Sequence, residues 1–143
     1  MVLLDTNIVI ELGKKTDSVI AKIKAIGYQN ICISGITVME MYVGALNKAD
    51  LQNIKKFISP ISQLKFNDNI LNIAVELLEN YRLSNNLYIN DALIAATAIY
   101  YNLPVYTLNV KDFKYIPGIV LYKGTSKNSK DLTAKTQRRK EIN

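Results

Sequence analysis

Short apolar runs alternating with longer stretches of helical periodicity restrict the fold open to this chain more than any other feature. Val2 to Leu4, Ile31 to Ser34, Ile61 to Phe66 and Val105 to Leu108 read as strands, with a weaker fifth over Ile119 to Tyr122. Between them lie helical segments at Ile8 to Leu12, Ser18 to Ala25, Ile36 to Leu46, Asp50 to Ile58 and Asn67 to Arg82, and one from Asn90 or Asp91 to Tyr101. In the longest, Ile70, Ile73, Ala74, Leu77 and Leu78 recur three and four residues apart, the spacing of a helix that buries one face. Pro60 closes one helix and Asn102-Leu103-Pro104 another, because proline cannot continue the ladder. Strand followed by helix, repeated, yields strands that run parallel with helices on both faces. The expected architecture is a three-layer α/β/α fold around a five-stranded, mainly parallel sheet. A chain of 143 residues is long enough for one domain with a single well-buried core.

Acids interrupt these apolar elements at four places. The first strand ends abruptly in Asp5. The carboxyl ends of parallel strands are where open α/β sheets place ligands, so Asp5 either meets a cation there or simply caps the helix that follows. Glu40 is the only charge in Ile36-Thr37-Val38-Met39-Glu40-Met41-Tyr42-Val43. An unpaired buried carboxylate costs several kcal/mol, which calls for a partner, a polar cavity or an exposed stripe. Asp91 opens Ala92-Leu93-Ile94-Ala95-Ala96-Thr97-Ala98-Ile99, a run apolar nearly all round. There an acid also complements the helix dipole. The fourth strand delivers Asn109 and Asp112 to a loop on the same edge. Acids that converge without a counter-charge repel by roughly several kcal/mol per close pair at an effective dielectric near 20, a penalty that a divalent cation removes.

Histidine is absent, which excludes Ser-His and Cys-His nucleophile pairs and the usual zinc sites. Oxygen ligands favour Mg²⁺, with Mn²⁺ as a substitute. The lone Cys32 excludes an intrachain disulfide and fits a reducing, cytoplasmic setting. No apolar run approaches the roughly 18 residues of a membrane span, and no basic segment precedes the first apolar run as in a signal peptide. The net charge of +6 is uneven: residues 123–143 hold seven Lys/Arg against Asp131 and Glu141, leaving +1 for the other 122 residues. This basic segment is nearly devoid of apolar residues and is expected to be a disordered, solubilising tail, with phosphate contact as its alternative role.

Asp5-Thr6-Asn7, Thr37-Val38-Met39-Glu40-Met41-Tyr42-Val43-Gly44-Ala45, Asn90-Asp91-Ala92-Leu93-Ile94-Ala95-Ala96-Thr97-Ala98 and Thr107-Leu108-Asn109-Val110-Lys111-Asp112-Phe113 together resemble the PIN-domain ribonucleases, and within them the VapC toxins of toxin–antitoxin pairs. The resemblance runs from Met1 to about Tyr122, making residues 1–122 a nuclease domain and 123–143 an uncovered tail. It implies a metal-dependent endoribonuclease, a homodimer, and a cognate antitoxin as partner. Asp5, Glu40 and Asp91 match the three principal acids, and Thr6 the small hydroxyl residue that supports the metal shell. Where many relatives carry a fourth acid this chain has Asn109, with Asp112 nearby. Either one serves a second, substrate-recruited metal or positions the scissile phosphate.

On this reading Asp5, Glu40 and Asp91 hold Mg²⁺ partly through waters, and Glu40 orients the attacking water on an RNA phosphodiester. RNA of this kind is read by shape and through unpaired bases, for which Tyr88, beside Asn85-Asn86, is a candidate stacking platform. Two rivals remain. One is a non-catalytic PIN-like RNA-binding or regulatory module. The other is a phosphoryl-transfer receiver, which would want paired acids after the first strand where this chain has only Asp5.

Overall fold

The computed structural model of the protein describes residues 1–123. The basic segment expected to be disordered lies, from residue 124 onward, outside the described residues. Four strands, β1 (Val2–Leu4), β2 (Ile31–Ser34), β3 (Ser62–Leu64) and β4 (Val105–Tyr106), form a sheet of order β3-β2-β1-β4. Every pairing is parallel, with Leu3 opposite both Cys32 and Val105. Six helices connect and cover them: α1 (Thr6–Gly13), α2 (Asp17–Ile26), α3 (Gly35–Val43), α4 (Lys48–Ile58), α5 (Asp68–Asn85) and α6 (Ile89–Tyr101).

Strand alternation sorts the core into two layers. Leu3, Cys32 and Val105 face α5 and α6, packing with Ile70, Ala74, Leu77, Ile94 and Ala95. Val2, Leu4, Ile31, Ile33 and Tyr106 face the other way, onto Ile8, Val9, Val19, Ile23 and Ile58 of α1, α2 and α4. Alanines line the inner side of α6 and let its backbone approach the sheet closely. The expected three layers are therefore present. The fifth strand, however, shrinks to one residue: Leu121 forms a parallel bridge to Val105, held by Val105 N–H donating to Val120 O (2.8 Å) and Tyr122 N–H donating to Val105 O (2.7 Å).

Local signals set the helix starts. Asn47 caps α4 by accepting from the Asp50 N–H at 2.8 Å, and Asn67 caps α5 from the Ile70 N–H at 2.9 Å. These caps extend α4 two residues upstream of the expected Asp50. The helix expected to be buried over Ile36 to Leu46 ends at Val43, and only Thr37 within it is fully enclosed. Val43 and Leu46 stand 85% and 89% exposed: the apolar composition is real, but no element of the described chain covers that side of α3.

Candidate functional site

The carboxyl ends of β1 and β4, the second turn of α3 and the first turn of α6 meet on one edge of the sheet. Asp5 follows β1, and its N–H extends the ladder by donating to Tyr106 O at 2.9 Å. Alternation then turns its side chain, like that of Leu3, to the α6 side. The Asp5 carboxylate is 6% exposed and fixed at both oxygens: Oδ1 accepts from the Thr6 N–H at 2.7 Å and Oδ2 from the Thr107 hydroxyl at 2.7 Å. It is thus both the cap of α1 and a wall of the site, so the two readings of Asp5 coexist.

Glu40 comes from one turn into α3 and is anchored as firmly. Its Oε1 accepts from the Thr6 hydroxyl at 2.8 Å and its Oε2 from the Asn90 amide at 3.3 Å. Thr6 Oγ1 also lies 2.9 Å from Thr37 Oγ1. A threonine hydroxyl has one proton; with that of Thr6 given to Glu40, Thr37 is the donor in the second contact. Thr37 is fully buried, and the chain Thr37–Thr6–Glu40 fixes the carboxylate from behind.

Asp91 lies in the first turn of α6. Burial raises its pKa to about 7, and the negative charges of Asp5, Asp112 and Glu40 add to the shift. Burial also raises the pKa of Asp5, against the lowering effect of its hydrogen bonds from Thr107 and Thr6, with Glu40 and Asp112 pushing further up. Asp112 reaches the group from the short 3₁₀ turn Val110–Asp112 after β4. The charges of Glu40 and Asp112 thus act on both Asp5 and Asp91, and that of Asp5 acts on Asp91. Among the described residues the one ion pair joins Lys14 to Glu11 at 4.0 Å, so no described lysine or arginine forms an ion pair with this cluster.

Such an arrangement, all oxygen donors with excess negative charge, fits a hard divalent cation. Among the described residues no three acids close into a ready-made cage for an ion. Asn109 has an exposed side chain, and its N–H donates to Thr107 Oγ1 at 2.9 Å. Of the two candidates for the fourth position, Asp112 thus contributes charge to the cluster, while Asn109 lies on its rim. Thr107, Thr37 and Asn90 were not singled out by the sequence reasoning. Two are hydroxyls inside apolar elements, and their partners lie far away in the chain.

Comparison with known proteins places these features in context. Residues 2–118 match the PIN domain family. The chain is 33% identical over 123 residues to a Ribonuclease VapC of Rickettsia bellii, covering 80% of this chain and 90% of that protein. Among solved structures, a toxin–antitoxin complex from Klebsiella pneumoniae superposes with a TM-score of 0.71 at 34% identity, over 84% of this chain and 96% of the other. VapBC2 from Rickettsia felis, bound to a DNA fragment of its promoter, gives 0.70 at 29% identity, over 85% and 98%.

Proposed function

From the premise that the chain belongs to the PIN-domain family, among the VapC ribonucleases, we propose that it is a divalent-metal-dependent endoribonuclease acting as the toxin of a toxin–antitoxin pair. The observation that carries this reading is the convergence of Asp5, Glu40, Asp91 and Asp112 on one sheet edge with no described lysine or arginine paired to them. Those four acids would hold Mg²⁺, or Mn²⁺ in its place, partly through water. A divalent ion supplies an acidified water at neutral pH and offsets the charge that gathers on an attacked phosphate.

The chain's own residues do the rest. Asp5 is oriented before any substrate arrives, because Thr6 N–H and Thr107 hold both its oxygens. Glu40 keeps free lone pairs beyond its bonds to Thr6 and Asn90, since a carboxylate offers about four acceptor sites, and those orient the attacking water. Asp112 completes the acidic set from the β4 side, and exposed Asn109 beside it positions the scissile phosphate. With no histidine in the chain, no protein nucleophile is required.

The solved relatives are toxin–antitoxin complexes, and the exposed apolar residues Val43, at the end of α3, and Leu46, just beyond it, support protein partners here, a cognate antitoxin and a second copy of the chain. Among the described residues no helix is long and apolar enough to cross a membrane, in keeping with a cytoplasmic enzyme acting on RNA. A non-catalytic module would have no use for four converging acids. The test is incubation of the purified chain with single-stranded RNA in Mg²⁺, in Mn²⁺ and in excess EDTA. Cleavage inside the strand with either metal and none in EDTA is expected; cleavage that survives EDTA, or that proceeds only from an end, rejects the proposal.

A further inference from the structure

Three residues before Asp91, the surface opens into a recess of about 550 Å³ lined by Leu78, Glu79, Arg82, Leu87, Tyr88 and Ile89. That volume falls within the range of about 300–1,000 Å³ usual for small-molecule sites. Its position follows from local structure. Asn86 ends α5 in the left-handed conformation (φ 56°), turning the chain so that Tyr88 becomes the residue flanking the start of α6. Tyr88, in extended conformation just before α6, is three residues from Asp91 in the first turn. Asn90, between them, donates to Glu40. The recess therefore opens beside the N-terminal end of α6, the end that carries Asp91, although none of the four acids lines it.

The Tyr88 side chain is held in place yet more than half open. Its hydroxyl oxygen accepts from the Asn86 amide at 3.3 Å. The Arg82 guanidinium lies 5.1 Å from its ring centroid and is itself steadied by donating to Leu87 O at 3.2 Å. The tyrosine remains 56% exposed. A fixed aromatic ring with a guanidinium over one face, more than half exposed and flanked by leucine walls, suits stacking of a flat heterocycle on its other face. Arg82 and Glu79 bring one positive and one negative charge to the recess lining.

We propose that Tyr88 and Arg82 form a base-binding subsite in which one unpaired nucleobase of the RNA stacks on the Tyr88 ring and so sets which phosphodiester reaches the acids. The proposal rests on the ribonuclease reading for its substrate, and its test separates the two.

The chain contains no tryptophan, so Tyr88→Trp places a single indole in the recess. The full-length variant is titrated in EDTA with a fluorescently unlabelled single-stranded oligoribonucleotide of mixed sequence, and with an abasic ribose-phosphate strand of equal length. Tryptophan emission should be quenched by the first strand and not by the second. In parallel, anisotropy of the labelled strands should show Tyr88→Ala weakening the base-bearing strand roughly 5- to 150-fold, the range of base–aromatic stacking. Tyr88→Phe should bind like the parent, and the abasic strand should not distinguish the three proteins. Emission unmoved by a strand that anisotropy shows to be bound overturns the subsite, as does a parent protein that binds neither strand. So does a Tyr88→Ala variant that changes mass in light scattering but not RNA affinity, because the recess then covers a second copy of the chain. Quenching in a protein that cleaves nothing in Mg²⁺ would keep the subsite and reject the nuclease; cleavage without quenching would do the reverse.

Discussion

The two halves of the acidic site are built differently. On the α1/α3 side, Asp5 and Glu40 have all four carboxylate oxygens engaged, by Thr6, Thr107 and Asn90, with Thr37 behind Thr6. On the α6 side, Asp91 gains no such scaffold among the described residues: it is partly buried, faces the charges of its three neighbours, and its pKa rises to about 7. One half is fixed by hydrogen bonds before anything binds. The other half is held in a repulsive field that only a proton or a cation relieves. The difference separates what the fold supplies from what the ion must supply, and each side can be broken independently.

The largest effect is expected from removing charge on either side. Asp5→Asn, Glu40→Gln and Asp91→Asn should each reduce RNA cleavage by more than the roughly 10- to 100-fold typical of residues that only support metal ligands. Paired substitutions should lose little beyond the single ones, since the acids act as one unit. Cleavage rates measured at saturating Mg²⁺ check this, and an active Asp91→Asn enzyme would show that the repulsive half is not part of the chemistry.

Next comes the scaffold. Thr107→Val keeps the shape and removes the hydroxyl that donates to Asp5. Because Asp5 is almost fully buried, an unpaired oxygen there costs about 1–3 kcal/mol, so the variant should unfold at lower denaturant. Its metal requirement should rise about 10- to 100-fold. Thr107→Ser, which restores the donor, should recover most of both. Loss of stability without a change in metal requirement would confine Thr107 to the fold.

How much of this was legible beforehand depends on the kind of signal. Asp5, Glu40 and Asp91 each interrupt an apolar run, and a charge in such a place carries a cost visible in one dimension. Thr37 and Thr107 carry no such cost. Threonine is at home in strands and helices of this type, and Thr107 acquires meaning only because the order β2-β1-β4 brings it beside Asp5 across 102 positions of chain. The fifth strand was overread for a related reason: Ile119 to Tyr122 has strand composition, but after Pro117 and Gly118 the chain meets β4 along a single bridge. The apolar run of α3 identified a helix and not which side would be covered, since composition is silent about neighbours. The uncertainty between Asn109 and Asp112 could not be resolved by spacing, because the intervening 3₁₀ turn redirects both.

A smaller effect distinguishes those two. If Asp112 serves the cation, Asp112→Asn should raise the Mg²⁺ concentration for half-maximal cleavage several-fold, whereas Asn109→Ala should alter the Michaelis constant for RNA with the metal requirement unchanged. A magnesium titration of both variants decides it, and the opposite order would assign the fourth position to Asn109.

The smallest expected effect bears most directly on the contrast between the halves, because it needs neither RNA nor catalysis. In the metal-free protein the folded Asp91 holds its proton up to about pH 7, while an unfolded aspartate releases it near pH 3.9. Between those values the folded state binds more protons than the unfolded one, so this group makes stability fall as pH rises through the window. Below it both states are protonated and no penalty exists; above it both are ionised and the penalty is complete. Asp5, raised in the same direction, adds to the slope. In EDTA the parent should therefore melt at a lower temperature at pH 8 than at pH 5. Asp91→Asn should flatten the difference, and Mg²⁺ should raise the parent's pH 8 melting point and leave Asp91→Asn almost unmoved. For a domain of this size each kcal/mol relieved corresponds to roughly 2–4 °C, well within calorimetric precision. A parent whose melting point climbs from pH 5 to pH 8 in EDTA would mean that hydrogen bonding, rather than repulsion, governs both halves alike.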